Sequence, residues 1–438
     1  MDQPPNIVVR PPGPESRRLG DVVAALECPA FEERRKKRAA LDAGADAAGI
    51  VLARGEGSNL FDVDGNRFVD LAAGFGAAIL GHGPSPAHEA VKAQTGELAQ
   101  GLGDLYASDI KVRLLERLAG IYPEPKARVL FGQSGADALT AAIKTAALAT
   151  SKPGLIAFEG AYHGLSYAPL AACGFRPSFR EPFASQLNPH VAFVPYPRTL
   201  ADVERSLDAI REALARGSFG TILVEPVLGR GGVVPAPPGF LRELGALAHA
   251  SAAVVIADEI WTGCGRGGSV VRSLDEGLVP DIVCLGKGLG ASFPISACIG
   301  SERVMQAWAR GGEVLHTSTH AGAPIGCAAA LAALEAIETQ GLDRRAAKLG
   351  DTLMERLRSE VAGMRAVVRG AGLLVGIELA SGAVGLAACR RLLERGYVTT
   401  VGGASAEVIV VTPPLTIAED VLLGFAAVLR DVVREVDS

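Results

Sequence analysis

The chain has 438 residues, of which 49% are hydrophobic and 21% are charged, a composition typical of a globular protein with two or three domains. The formal net charge of −5 argues against a nucleic-acid partner. Residues 1–19 contain prolines where a signal peptide needs an apolar run, and no charge-free apolar stretch reaches the length of a membrane span. We therefore expect a cytoplasmic protein that makes no use of a membrane.

The seven cysteines are scattered, with no CxxC pair and no histidine at the spacing of a metal ligand. This pattern predicts reduced thiols, most of them in the core, and no bound metal.

The first part of the chain carries one strong local signal. Residues 1–50 are predicted to be irregular and charged, ending near Asp42-Ala43-Gly44. Their basic run at 34–38 directly follows two glutamates, which favours a solvated helix face over a binding patch. Residues 58–72 then alternate apolar and polar side chains around Asp64-Gly65-Asn66, which predicts a β-hairpin.

From about residue 110, short apolar strands alternate with helical stretches. Strands are predicted at residues 128–131, 154–158, 191–194, 221–224, 253–257 and 282–285, and helices at 135–149, 201–216, 239–250, 301–310 and 324–339. This alternation predicts an α/β fold with a mostly parallel sheet covered on both faces. A smaller α+β pattern follows residue 340, with helices at 343–361 and 383–396, strands at 373–379 and 408–411, and a final helix.

These patterns predict three units along the chain. They are an N-terminal segment with the hairpin (residues 1–75), a large domain (76–325) and a smaller C-terminal α+β domain (326–438).

Polar side chains follow five of the predicted strands. In open parallel sheets, ligands bind outside the carboxyl ends of the strands. Each of these residues alone has an ordinary interpretation; Ser134-x-x-Asp137, for example, is a helix capping box. Together they predict a polar site at one edge of the sheet, formed from Ser134, Tyr162, His163, Glu225, Asp258, Glu259 and Lys287.

Lys287 is the most informative of them, because it lies among small and apolar residues in PDIVCLGKGLG. A lysine is almost never buried without a partner, and burial lowers its pKa so that a neutral amine can attack carbonyl groups. Schiff-base chemistry with pyridoxal 5′-phosphate (PLP) uses such a lysine, together with a carboxylate at the pyridine nitrogen and a helix N-terminus for the phosphate. Asp258 and Ser134-Gly135-Ala136 supply those groups, and Tyr162 supplies an aromatic ring.

The order of the motifs SGAD, YHG, EP, GRGG, PPGFL, ADEIWTGCGR, PDIVCLGKGL and STHAGAPIGCAAAL resembles the class III (subgroup II) aminotransferases of fold type I. The resemblance extends from about residue 56 to the end. It implies a PLP-dependent homodimer that acts on small-molecule amine and carbonyl substrates, with a large PLP-binding domain.

The resemblance also assigns roles to individual residues. It implies that Ser134, Gly135 and Ala136 hold the phosphate, that Tyr162 and Ile260 cover the two faces of the ring, and that Asp258 pairs with the ring nitrogen. Thr319, in HTSTHAG, would reach the phosphate in the partner subunit's site. The cofactor-binding set implied is Ser134, Gly135, Ala136, Tyr162, His163, Glu225, Asp258, Ile260, Trp261, Lys287 and Thr319, with Lys287 and Asp258 catalytic.

Three positions depart from the pattern. Trp261 stands where the family often has a glutamine that contacts the ring hydroxyl. Arg230 replaces a frequent glutamate, and Val410 replaces a frequent arginine that binds the substrate α-carboxylate. Arg230 either pairs with a surface carboxylate or has taken over carboxylate recognition. The second interpretation, or a substrate without an α-carboxylate, predicts a primary amine or ω-amine in one half-reaction, against an apolar wall of Trp261 and Val410.

Three functions are compatible with these residues. The first is an aminotransferase in which Lys287 forms the Schiff base and moves a proton as general base and acid. The second is a PLP-dependent aminomutase of the glutamate-semialdehyde type, because those enzymes also lack the Glu–Arg pair. The third is a non-catalytic relative, against which the retained Lys287 and Asp258 argue. We favour the aminotransferase.

Overall fold

The N-terminal segment is more regular than its sequence predicts. The computed structural model describes residues 2–41 and 48–437, so the predicted boundary at Asp42-Ala43-Gly44 lies outside the described residues. The expectation of an irregular segment is wrong for two helices, α1 (Pro14–Leu26) and α2 (Pro29–Ala39). A proline at the first position starts each helix, and the glutamates, lysines and arginines of α2 favour a helix although they carry no apolar periodicity.

The predicted hairpin is present and belongs to a short sheet. Strands β1 (Leu52–Glu56), β2 (Asn59–Asp62) and β3 (Arg67–Asp70) pair in order and antiparallel. The carboxylate of Asp62 accepts the backbone N–H of Asn66 at 2.8 Å, which closes the turn between β2 and β3.

The large domain is built on a seven-stranded sheet in the order β4-β12-β11-β10-β7-β5-β6. All six predicted strands occur in it, and the α/β architecture with a mostly parallel sheet is confirmed. The strands of this domain, including the short pair β8 and β9, are β4 (Arg128–Gly132), β5 (Gly154–Phe158), β6 (Val191–Val194), β7 (Phe219–Val224), β8 (Val227–Leu228), β9 (Val234–Pro235), β10 (Val254–Asp258), β11 (Ile282–Leu285) and β12 (Ser296–Gly300).

Strand β12 was not predicted from the sequence. It lies between β4 and β11 and runs antiparallel to both. Its small residues, SACIG, are all buried, and such a run carries neither strand alternation nor β-branched enrichment beyond one isoleucine.

Helices cover both faces of this sheet and agree with the predicted ones except at residues 301–310. There a short helix is followed by a 3₁₀ turn, Gln306–Ala309. In chain order, the helices from the hairpin to residue 339 are α3 (Ala73–Gly76), α4 (Pro86–Glu97), α5 (Asp109–Ala119), α6 (Gly135–Thr150), α7 (Tyr167–Ala171), α8 (Pro177–Arg180), α9 (Val203–Ala215), α10 (Phe240–Ala250), α11 (Arg272–Asp275), α12 (Glu302–Met305) and α13 (Pro324–Thr339). Further 3₁₀ turns are Glu181–Gln186, Leu200–Asp202 and Lys287–Gly290.

The C-terminal part forms a second, antiparallel sheet in the order β13-β14-β17-β16. Its elements are α14 (Leu342–Glu360), β13 (Val367–Ala371), β14 (Leu374–Glu378), α15 (Gly382–Glu394), β15 (Tyr397–Val398), β16 (Thr400–Gly402), β17 (Val408–Val411) and α16 (Glu419–Val436). Strand β15 leaves this sheet and pairs in parallel with β3 of the N-terminal hairpin. The two ends of the chain therefore share one sheet, and the division into three units at residues 75 and 325 stays a prediction.

No single helix in the described part of the chain has the length and apolar character needed to cross a membrane. The pair Pro324–Thr339 and Leu342–Glu360 meets that test only when the two are joined, across a bend of 63°. Within residues 2–41 and 48–437, we find no group of three or more His, Cys, Asp or Glu side chains placed to hold a metal ion.

Candidate active site

A pocket of about 170 Å³ opens at the carboxyl ends of β5, β7, β10 and β11. Ten of its lining residues were singled out from the sequence, so the rule that ligands bind beyond the strand ends brings the predicted residues together. The lining residues are Gly135, Ala136, Leu139, Tyr162, His163, Gly164, Glu225, Arg230, Asp258, Ile260, Trp261 and Lys287.

Lys287 begins the 3₁₀ turn that follows β11, with a left-handed φ of 43°. Its Nζ lies 4.1 Å from the centre of the Trp261 ring. Burial lowers the pKa of this lysine from 10.5 to about 8, although the carboxylates of Asp258 and Glu225 act in the opposite direction. A substantial neutral fraction of the amine, the nucleophilic form, is therefore present near neutral pH.

The glycines beside Lys287 provide the room for its close packing. A Cβ atom at Gly288 would lie 2.6 Å from the side chain of Ile79, and one at Gly286 would lie 3.0 Å from Ile260. These distances are shorter than ordinary carbon contacts, so neither position accommodates a larger residue without movement of its neighbours.

Asp258 ends β10 and is paired with His163. The Nδ1 atom of His163 lies 2.7 Å from Oδ2 of Asp258, and the backbone N–H of Ile260 donates to Oδ1 at 3.1 Å. Both side chains are buried, and Nε2 of His163 has no hydrogen-bond partner among the described residues. The adjacent Glu259 instead accepts hydrogen bonds from the Ser273 backbone and the Thr262 hydroxyl.

Glu225 ties two pocket loops together from a buried position. Its carboxylate accepts the backbone N–H of Tyr162 at 2.8 Å and that of Gly229 at 2.9 Å. Burial and, to a smaller extent, the charge of Asp258 raise the pKa of Glu225 to about 7, while His163 opposes the shift. The sequence identified Glu225 as a polar strand end and, through the family resemblance, as a cofactor-binding residue. It gave no sign of these two hydrogen bonds, because both partners are backbone groups that leave no signal in side-chain patterns.

The N-terminus of α6 faces the pocket through its first two residues, Gly135 and Ala136. Ser134 Oγ accepts the N–H of Asp137 at 3.2 Å, and the Asp137 carboxylate accepts the N–H of Ser134 at 3.0 Å, so the predicted capping box is present. The first backbone N–H groups of a helix have no partner within it and carry partial positive charge. Gly135 and Ala136 therefore offer an anion two free donors, and Ser134 adds a hydroxyl proton.

Trp261 forms one wall of the pocket, and Val410 lies behind it. The two belong to one apolar cluster with Val227, Val233 and Val408, and Val410 is 1% exposed. A Cβ atom at Gly76 would lie 2.6 Å from the indole Nε1, so the indole packs directly against the backbone there. Val410 supports the wall without lining this pocket.

Arg230 projects into the pocket and stacks on aromatic rings. Its guanidinium carbon lies 4.7 Å from the ring centre of Tyr162 and 5.5 Å from that of Phe175. No carboxylate of the described residues lies within ion-pair distance of it, so the alternative in which Arg230 pairs with a surface carboxylate has no partner there. Burial and the nearby cations Arg34 and Arg176 lower the pKa of Arg230.

Thr319 lies outside this pocket, on an exposed segment. Its backbone carbonyl accepts a hydrogen bond from the Gln100 side chain at 2.7 Å.

The chain belongs to the class-III aminotransferase family, which it matches over residues 40–433. It is 37% identical to an acetylornithine aminotransferase of Methanopyrus kandleri, over 88% of this chain and 94% of that protein. It is 31% identical to an alanine/serine racemase of Pyrococcus horikoshii, over 95% of this chain and 90% of that protein. Among solved structures, an amine transaminase from an uncultivated Pseudomonas species in its PLP-bound form matches with a TM-score of 0.81 at 28% identity, covering 90% and 96% of the two chains.

The protein is a PLP-dependent aminotransferase of fold type I, acting on small-molecule amino and keto substrates. The pocket fits that cofactor in three independent features: a half-buried lysine of lowered pKa, a buried carboxylate, and a helix N-terminus with free N–H groups. PLP, when bound, withdraws electrons from the substrate carbon that carries the amino group.

Proposed function

We propose that the protein transfers the amino group of a primary amine or ω-amino acid, with Lys287 as the residue that holds PLP covalently. In this proposal Lys287 Nζ also removes the proton from the amine-bearing carbon of the substrate and, as the ammonium group so formed, would deliver it to the cofactor; the second half-reaction would reverse this transfer. The lowered pKa of Lys287 supports these roles, since covalent attachment and proton removal each need the neutral amine.

The remaining pocket residues bind and orient the cofactor in this proposal. Asp258 holds the proton on the pyridine nitrogen, and His163 fixes the carboxylate in position through their 2.7 Å contact. The phosphate binds to Ser134, Gly135 and Ala136, where the start of α6 favours negative charge. Tyr162 and Ile260 cover the two ring faces, and Trp261 closes the side next to Lys287.

Arg230 carries the proposal about the substrate. Its stacking on Tyr162 and Phe175 occupies the faces of the guanidinium and leaves its N–H edge available, and no described carboxylate neutralises it. A guanidinium edge binds a carboxylate through two parallel hydrogen bonds. We infer that Arg230 binds a carboxylate of the substrate, while Val410 contributes only to the apolar wall.

We also propose a homodimer in which Thr319 reaches the phosphate of the partner subunit's cofactor. Two exposed segments, residues 100–106 and 314–319, support this proposal. They are joined by a hydrogen bond from the Gln100 side chain to the Thr319 carbonyl at 2.7 Å and one from the Thr317 hydroxyl to the Asp104 carboxylate at 3.4 Å. Large apolar side chains that are half-exposed or more cluster on these segments, as expected of an interface core. They are Leu102, Leu105, Tyr106, Val314 and Leu315.

The seven cysteines are all free thiols in the structure, and five of them are buried core residues. Free thiols are usual in reducing compartments, which supports our proposal that the enzyme acts in the cytoplasm.

A donor panel tests the proposal about the substrate. Wild type, Arg230→Ala and the exposed control Arg216→Ala would be assayed with γ-aminobutyrate, an uncharged alkylamine and glutamate, each with 2-oxoglutarate and with an aldehyde acceptor. We expect kcat/KM for γ-aminobutyrate to fall at least about tenfold in Arg230→Ala and to stay at the wild-type value in Arg216→Ala, while kcat/KM for the alkylamine is the same in all three proteins. The proposal is wrong if glutamate and 2-oxoglutarate are the best pair and Arg230→Ala leaves their kinetics unchanged.

The relative named as a racemase and the missing Glu–Arg pair keep two other reactions in view, racemisation and the aminomutase reaction. Incubation of the holoenzyme with donor and no acceptor separates them. Transamination releases one carbonyl product per active site and then stops, whereas a racemase or an aminomutase continues to turn over.

A further inference from the structure

Four arginines from three separate segments lie near one another, and one of them, Arg230, lines the pocket. Arg34 and Arg38 come from α2, Arg176 precedes α8, and Arg230 follows β8. Arg176 and Arg230 stack on the same ring, Phe175, at 4.9 and 5.5 Å. Arg34, Arg176 and Arg230 all interact electrostatically with Arg38, and Arg34 and Arg176 interact with Arg230.

The cluster lacks the counter-charges that usually accompany buried cations. Elsewhere on α2, Arg35 pairs with Glu27 at 3.6 Å and Lys36 pairs with Glu32 at 2.7 Å. Arg38 is half-buried instead, and among the described residues none of the four clustered arginines has a carboxylate within ion-pair distance. The Nε atom of Arg176 is buried without a hydrogen-bond partner in the same part of the chain.

Neighbouring like charges without counter-charges repel one another, and the shared contact of Arg176 and Arg230 with Phe175 is therefore unfavourable unless something else offsets the repulsion. The Phe175 and Tyr162 rings offset part of the repulsion through their π-faces. Because the stacked faces are occupied, the guanidinium edges remain free for hydrogen bonds in their own plane. An anion placed between these edges would supply the missing charge.

We propose that Arg34, Arg38 and Arg176 form a second anion-binding site beside Arg230, which recognises a phosphate or a further carboxylate on the substrate's end remote from the reacting amine. The inference rests on the proposed function in one respect, that the anion belongs to a substrate of this active site. The basic run of α2 was predicted to be a solvated face, and Lys36 and Lys37 are indeed exposed, whereas Arg38 is half-buried and interacts electrostatically with Arg230 of the pocket.

The first experiment measures binding rather than turnover. Isothermal titration of the holoenzyme with inorganic phosphate, and separately with glutarate, would be compared for wild type, Arg38→Gln, Arg176→Gln and Lys37→Gln. The last is a matched control, because it removes the same charge from an exposed position on the same helix. We expect about ten- to a hundredfold weaker binding in the two arginine variants and no change in the control. Equal affinities in all four proteins, or no binding to wild type, would overturn the proposal.

Kinetics then identify the anion. Phosphoethanolamine would be compared with ethanolamine, and 3-(aminomethyl)glutarate, which carries a second remote carboxylate, with γ-aminobutyrate, in the same four proteins. An increase in KM at constant kcat, confined to phosphoethanolamine in the arginine variants, assigns the site to phosphate; the same effect confined to 3-(aminomethyl)glutarate assigns it to a carboxylate. If no donor is turned over by wild type, the proposed function fails while the titrations still decide whether the anion site exists. If donors are turned over but the variants bind anions as wild type does, only the second site is refuted.

Discussion

The Nδ1 atom of His163 lies 2.7 Å from Oδ2 of Asp258, with both side chains buried at the end of the central sheet. Because Ile260 donates its backbone N–H to the other carboxylate oxygen, the carboxylate has one fixed orientation. In the role we propose for Asp258, that orientation would let it hold a proton on the cofactor nitrogen without first rearranging, as preorganised electrostatic groups do.

Asp258→Asn should bind PLP and fold normally, yet lose about 10²- to 10⁴-fold in kcat. An amide can hydrogen-bond to the ring nitrogen but cannot keep it protonated. Steady-state kinetics beside a cofactor absorbance titration would show this. Near-native rates in Asp258→Asn would mean that another group contacts the ring; Glu259 is excluded by its bonds to Ser273 and Thr262, which leaves Glu225 to be examined.

Lys287→Ala should retain the fold and lower kcat by at least about 10³-fold. The reason is that Lys287 supplies the only amine in the described pocket lining. PLP should still bind through the start of α6, but reversibly, so that dialysis removes it. The exposed Lys348→Ala serves as control. Substantial transamination by Lys287→Ala would remove the central assignment.

Attachment of PLP to the apoprotein should depend on pH through Lys287. Since burial lowers its pKa to about 8, half of the amine is neutral near pH 8 and nearly all of it is neutral by about pH 9 to 10. The rate of covalent attachment, followed by stopped-flow absorbance between pH 6 and about 10, should rise and level off accordingly. A rate that continues to rise to the pKa of an ordinary lysine would contradict the lowered value.

Glu225 should make the apoprotein less stable as the pH rises through its raised pKa. Between the ordinary pKa of 4.5 and about 7, the unfolded chain has released this proton while the folded chain keeps it. Folding then takes up a proton, so the free energy of unfolding falls with pH, by about 3 kcal/mol over the whole interval.

Glu225→Gln removes the pH-dependent contribution of Glu225 to the free energy of unfolding. It also replaces the carboxylate that accepts the Gly229 N–H by an amide. We expect the variant to melt below wild type at about pH 5 and to narrow or close that gap by about pH 7.5, as calorimetry would show. A constant difference across this range would show that Glu225 titrates at an ordinary pKa.

Leu105→Asp should dissociate the proposed dimer and lower activity at least about tenfold, because a charge placed in an interface core loses its hydration. Light scattering after size exclusion measures the mass. Leu200→Asp is the matched control, since Leu200 is 68% exposed and Leu105 is 74% exposed, but Leu200 lies apart from the interface segments. Equal masses for both variants and wild type would refute this interface.

The strand ends were predictable because buried parallel strands are continuous apolar runs, and the polar residue that ends each run identifies the edge. Asp258 after VVIA and Lys287 after IVCLG follow this rule. Two features of the site were not predictable. The hydrogen bonds to the Glu225 carboxylate come from backbone N–H groups, which leave no mark on the sequence. The electrostatic interaction of Arg38 with Arg230 joins residues almost two hundred positions apart, and no local pattern encodes it.

The parallel pairing of β3 with β15 has a consequence for biosynthesis. The N–H of Val69 donates to the carbonyl of Gly396 at 2.8 Å, and the N–H of Leu71 to that of Val398 at 2.9 Å. At typical translation speeds the ribosome needs roughly 15–65 s to make the intervening chain. Until β15 is made, the N–H groups of Val69 and Leu71 lack these partners, and unpaired backbone at a strand edge is a template on which another nascent chain can form strands. Recruitment of a chaperone to the emerging hairpin would protect it until β15 arrives.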